Sequence, residues 1–171
     1  MNLKGYYPVF ALIMILIQAV ICNYVYLGPY ITVSILPAVI LFMPLKFNEI
    51  TDMLIAFAIG IAIDWLYDGV IGLNAAALVA VGYSRRAIIK MFFGSDTVTR
   101  EESFNMRKNG ALKVISAITL ANAIFLFAYI LFDGAGTRSF GFSAARFASS
   151  LGVSIVLAPL LAFTLSNDRR E

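Results

Sequence analysis

Long apolar runs, separated by short polar clusters, organise this chain. A membrane-crossing helix needs about 20 mostly apolar residues, each rising about 1.5 Å, to traverse about 30 Å of hydrocarbon. On that scale the pattern predicts spans over 8–26, 30–45, 50–67, 70–93, 113–132 and 144–165. The stretch 30–45 is short and contains Pro37, so it is expected to be kinked or tilted, because proline lacks a backbone donor. The prediction is an all-α integral membrane protein, a single bundle of about six transmembrane helices.

The punctuation between runs is sparse. Gly28–Pro29, Asp68–Gly69 with Gly72, and Asp133–Gly134 with Gly136 supply the dihedrals that tight reversals require. The one substantial polar segment is 94–110. There Thr99-x-x-Glu102 reads as a capping box and Gly110 as a helix stop, predicting a short helix with acids first and bases last. The first run follows a positive residue, Lys4, as a signal peptide would. It lacks a small-residue cleavage site after Cys22-Asn23-Tyr24 and leads straight into further spans, so an uncleaved helix is expected.

Composition supports the same class. Of 171 residues, 61% are hydrophobic and 13% charged, against roughly 25% charged in soluble domains. The mean hydropathy is +0.87. With no histidine and one cysteine, a histidine metal site, a Ser-His-Asp triad and an intrachain disulfide are all excluded. No metal, cofactor or nucleic-acid partner is expected.

The distribution of charge adds a direction. Lys and Arg favour cytoplasmic segments. With six spans, eleven of the 13 basic residues fall on one side: Lys4, Lys46, the seven from Arg85 to Lys113, Arg169 and Arg170. Arg138 and Arg146 fall on the other. Both termini and the 94–110 segment are therefore expected in the cytoplasm of a multi-pass membrane protein. Trp65, Tyr67, Tyr26 and Tyr83 are expected in interfacial belts.

The string from Gly60 to Ala77 carries the most chemistry. Asp64 and Asp68, four residues apart, share a helical face near the outer end of a span, and carboxylates there are functional candidates by default. Gly60-x-x-x-Asp64-x-x-x-Asp68 is similar to the tail of the CDP-alcohol phosphotransferase motif. The upstream Asp-x-x-Asp-Gly-x-x-Ala-Arg of that motif is missing, since only Glu49 and Asp52 precede Gly60 and no Ala-Arg follows them. The reading favoured by the residues is structural: Asp64 is the buried partner of an arginine, with Arg146 the candidate, or of a helix-end amide, and Asp68 starts the turn. Ala56-x-x-x-Gly60 is a small-residue face on which another helix could pack closely. Gln18, Asn23 and Asn122 are expected in helix–helix hydrogen bonds, and Ala117/Ala121 and Ser150/Ser154 on packing faces. Arg85, Arg86 and Lys90 mark the cytoplasmic boundary and are candidates for docking a cytoplasmic partner.

Gly60, Asp64, Gly72, Asn74 and Ala75 together resemble the signature of the rod shape-determining protein MreD family: a glycine, an aspartate four residues on, a small outer turn, then Gly-Leu-Asn-Ala entering the next span. The size, the six expected spans, the arginines after span four and the 100–110 segment fit Bacteroidetes-type members. The resemblance implies a non-enzymatic scaffold of the cell-elongation machinery. It would bind an MreC-like membrane protein and help couple MreB-like filaments to peptidoglycan synthases. Gly60, Asp64, Asp68, Gly72, Asn74, Ala56 and Arg146 would then serve as interface or structural residues. The family's likeness to substrate-binding subunits of energy-coupling-factor transporters implies the alternative, a small solute-binding or transport subunit.

Overall fold

The structure, a computed structural model, describes the backbone of residues 3–24, 28, 30–45, 47–68, 70–94, 110–134 and 138–167, and the side chains of all of these but 3–8, 67–68 and 164–167. The expected cytoplasmic helix within 94–110 lies almost wholly outside the described residues, as do Tyr26 and the side chains of Tyr67 and Asp68. Every regular element among the described residues is helical. In chain order they are α1 (Leu3–Tyr24), α2 (Leu36–Leu41), α3 (Glu49–Ile63) running into a π-helical segment (Asp64–Asp68), α4 (Leu73–Phe93), α5 (Ala111–Asp133) and α6 (Phe140–Asn167). Two stretches, Ala111–Asp133 and Phe140–Phe163, are long and apolar enough to cross a membrane, and Val9–Tyr24 is apolar but shorter.

The second predicted span differs from its expectation. Only six residues, Leu36–Leu41, are helical, about 9 Å of rise. Proline explains where the helix begins: Pro37 sits at its first turn, where its missing N–H would have had no partner anyway. Residues 31–34 before it are not helical, yet Ser34–Met43 are buried without interruption. This broken segment is the centre of the molecule, packed by α4 and α5 with α1 beside it.

The core is small and apolar. Ala56, Ala75, Ala77, Leu78, Val81, Ala117, Ile118, Ala121 and Phe125 are fully enclosed. Alanine and glycine let α3 and α4 run antiparallel at close range. A Cβ on Gly60 would lie 2.3 Å from Ala75 Cα, and one on Gly82 would lie 3.2 Å from Ala56 Cβ. Outward faces are equally apolar: Leu12, Leu16 and Val20 on α1, Leu54 and Phe57 on α3, and Val156, Leu160 and Phe163 on α6 are all exposed.

Candidate functional site

A helix interrupted inside a packed bundle leaves N–H and C=O groups that must find partners. Among the described residues two such interruptions stand out, and the buried Gln18, Ser34, Asp52, Asp64, Asn74, Arg85 and Ser150 gather at them.

The first lies between α3 and α4. The helix shifts to π winding at Asp64, a change that re-aims a side chain, and the chain turns back through Gly72, whose φ of 106° favours glycine. Gly72 caps α4 but offers no side chain, so the first amides of that helix need an acceptor from elsewhere. Asp64, fully buried, supplies it. One carboxylate oxygen accepts from Gly72 N at 2.8 Å and Ala75 N at 3.3 Å, the other from Asn74 N and Asn74 Nδ2, both at 2.9 Å. A negative charge at a helix N-terminus is also favoured by the helix dipole. The motif-like residues Gly60, Asp64, Gly72, Asn74 and Ala75 thus meet at one place: the glycine admits the α4 backbone and the aspartate ties it down.

Two expectations are corrected here. Arg146 is not the partner of Asp64. It donates to Asp133, lies 3.0 Å from Thr32 Oγ1 through Nη2, and stands over the Tyr129 ring at 5.6 Å. The helix-end amides satisfy Asp64 instead. The Ala56/Gly60 face is not open to a partner either, because α4 already fills it.

The second interruption is the broken segment itself, and its partners come from far along the chain. Gln18 of α1, 3% exposed, donates to Val33 O at 2.9 Å and accepts from Ile35 N at 2.8 Å. Ser150 of α6 accepts from Thr32 N at 2.8 Å, and Ser149 donates to Tyr30 O. Ser34 accepts from Leu36 N at 3.4 Å within the segment. At the other end Arg85 of α4 reaches across to the close of α2, donating to Leu41 O at 3.3 Å and to Met43 O. Its Nη1 lies 2.7 Å from Asp52 of α3, and both side chains are completely buried. Arg86 donates to Phe47 O.

Arg85 therefore corrects a further expectation. It is not a boundary residue free to dock a partner, because carbonyls at a helix C-terminus and a buried carboxylate hold it inside. Of the three basic candidates on α4, only Lys90 is exposed, with Arg86 half-buried. Asp52 Oδ1, Arg86 Nε and Asn122 Nδ2 are buried and find no hydrogen-bond partner among the described residues. Asn122 thus makes no helix–helix bond through its amide nitrogen, and Asn23 bonds within its own helix to Ala19 O at 2.9 Å. Trp65 is 82% exposed and Tyr83 68% exposed, the latter at the midpoint of α4 and not at either of its ends. Among the described residues, no group of three metal-ligating side chains gathers in one place.

Comparison of the chain with family models, curated proteins and solved structures gives no match to any of them. A partial sequence signal for the Asp52–Arg85 pair was present: Ile55 and Ala56 follow Asp52 by one helical turn, and Val81, Ile88 and Ile89 lie one turn from Arg85. What hid it was position, since each also lies near an expected membrane boundary.

Proposed function

We propose that this protein is a non-enzymatic scaffold of a bacterial inner membrane, acting in cell elongation as MreD-type proteins do, with both termini in the cytoplasm. In this reading it captures an MreC-like bitopic protein and, directly or through it, joins MreB-like filaments to peptidoglycan synthases. The observation that carries the proposal is the convergence of the signature residues. Gly60, Asp64, Gly72, Asn74 and Ala75 build one closed hairpin whose carboxylate is consumed by four hydrogen bonds. A signature spent on architecture suits a scaffold.

The membrane setting agrees with the exterior. Non-helical backbone at bilayer depth is tolerated where protein encloses it, which is the condition of Ser34 and Ile35 before α2 and of Phe42 and Met43 after it. Arg85, Arg86 and Lys90 all lie in the half of α4 remote from Gly72, in keeping with the positive-inside rule.

The test is detergent pull-down from native membranes with the tagged chain, followed by identification of bound proteins. Capture of a bitopic MreC-like protein is expected. Absence of every wall-synthesis component, with a small molecule retained at one per chain, would replace the scaffold with the solute-binding alternative.

A further inference from the structure

The rim where α5 turns into α6 holds charges that the internal scaffolding does not use up. Asp133 Oδ2 serves two guanidinium groups, accepting from Arg146 and lying 3.6 Å from Arg138 Nη2. One carboxylate cannot neutralise two arginines, so this rim keeps a positive charge. The two arginines differ in what remains free. Arg146 is 12% exposed and spends its donors on Asp133 and Thr32. The Arg138 side chain is 40% exposed, and its guanidinium makes no hydrogen bond among the described residues.

Arg138 is nevertheless held in place. Its guanidinium lies 5.0 Å from the centroid of Phe142, and that ring packs at 4.9 Å against Tyr30. A planar guanidinium fork resting on an aromatic face, 40% exposed and only loosely paired with Asp133 at 3.6 Å, matches the geometry of a phosphate oxygen pair. Nearby Phe140 is 90% exposed and Tyr30 49%, a surround of rings suited to the boundary between hydrocarbon and headgroups.

We infer that Arg138, braced by Phe142 and backed by Arg146 and Asp133, binds a phosphate anion carried by a lipid headgroup of the outer leaflet. The inference rests on the membrane placement proposed above, and it adds a ligand which that proposal does not contain. Free phosphate presents the same oxygens, so the source is decided by experiment.

Native mass spectrometry of the detergent-purified chain reads this directly, with dioleoyl phosphatidylglycerol, dioleoylglycerol and inorganic phosphate as probes. Phosphatidylglycerol should be retained about tenfold better than the phosphate-free diacylglycerol, as expected for a charge-assisted hydrogen-bond pair. Arg138→Ala should remove that preference and Arg138→Lys should keep part of it, since the charge survives and the fork does not. Excess inorganic phosphate should fail to displace the lipid. Displacement by phosphate alone would overturn the headgroup assignment, and equal retention by wild type and Arg138→Ala would overturn the site. Carbonate extraction of the same membranes separates the two levels: a protein released by carbonate refutes the membrane placement, whereas an embedded protein without lipid preference refutes only this site.

Discussion

The two interruptions of the helical bundle are closed by opposite strategies. Between α3 and α4 the closing groups are local. Asp64 bonds to amides and an amide side chain only eight to eleven residues away. In the broken segment they are remote: Gln18 acts across 17 residues to Ile35, Arg85 across 42 to Met43, and Ser150 across 118 to Thr32. A local closure makes one hairpin and can form before the rest of the bundle. A remote closure needs α1, α4 and α6 already beside the segment, so it ties the whole molecule into one cooperative unit.

That contrast can be broken by substitution, and the largest effect should come from the remote closure. Arg85→Met strands the buried Asp52 carboxylate and the carbonyls of Leu41 and Met43, and loss of one member of a buried pair costs about 3–5 kcal/mol. Denaturant titration in detergent should show a loss in that range or failure to fold. Adding Asp52→Leu should restore part of the loss, because the pair is coupled and no charge is then left unpaired. A double variant as weak as the sum of the two singles would contradict the pairing.

Gly60→Ala tests the local closure by sterics. Its Cβ would meet backbone at 2.3 Å, with no flexible side chain to yield, so the cost should reach or exceed the upper part of the about 1–3 kcal/mol range for overpacking. Unchanged thermal stability would mean that α3 and α4 are further apart. Asp64→Asn should cost about 1–3 kcal/mol, since an acceptor facing amide donors becomes partly a donor. Combined with Arg146→Ala its effect should add within about 0.5 kcal/mol, and strong non-additivity would restore the Asp64–Arg146 pairing rejected above. The smallest change belongs to the exposed Lys90: Lys90→Ala should alter stability by no more than about 0.5 kcal/mol, and a larger loss would place that side chain in the fold.

What was legible in the sequence follows the same division. Helical class and the runs of α1, α3, α4, α5 and α6 could be read because apolar periodicity is a local property. The hairpin at Asp64 could be read in outline, as a carboxylate satisfied by a helix end, because Gly72 and Asn74 stand close by in the chain. The roles of Gln18, Arg85 and Ser150 could not, since nothing near them indicates a backbone break 15 to 118 residues away. In the sequence Arg85 reads as a boundary residue because a charge beside Arg86 and Lys90 normally is one. Pairing Asp64 with Arg146 failed for a related reason: charge counting supplies candidates for a side of the membrane but not their neighbours. Pro37 signalled a break in the second run, and how little of that run would be helical depended on the neighbours that satisfy its backbone.

The central claim is that the broken segment is a buried, clamped core element and not a loop. Hydrogen–deuterium exchange of the lipid-reconstituted protein tests it through the amides of residues 32–43. Amides bonded in the interior exchange only through opening. The account predicts that Thr32 and Ile35 amides are protected to a degree similar to those in the middle of α5. It also predicts that Gln18→Leu selectively removes the protection at Ile35 while α5 stays unchanged. Rapid exchange of Thr32 and Ile35 in the wild type, or protection at Ile35 that is indifferent to Gln18, would contradict it.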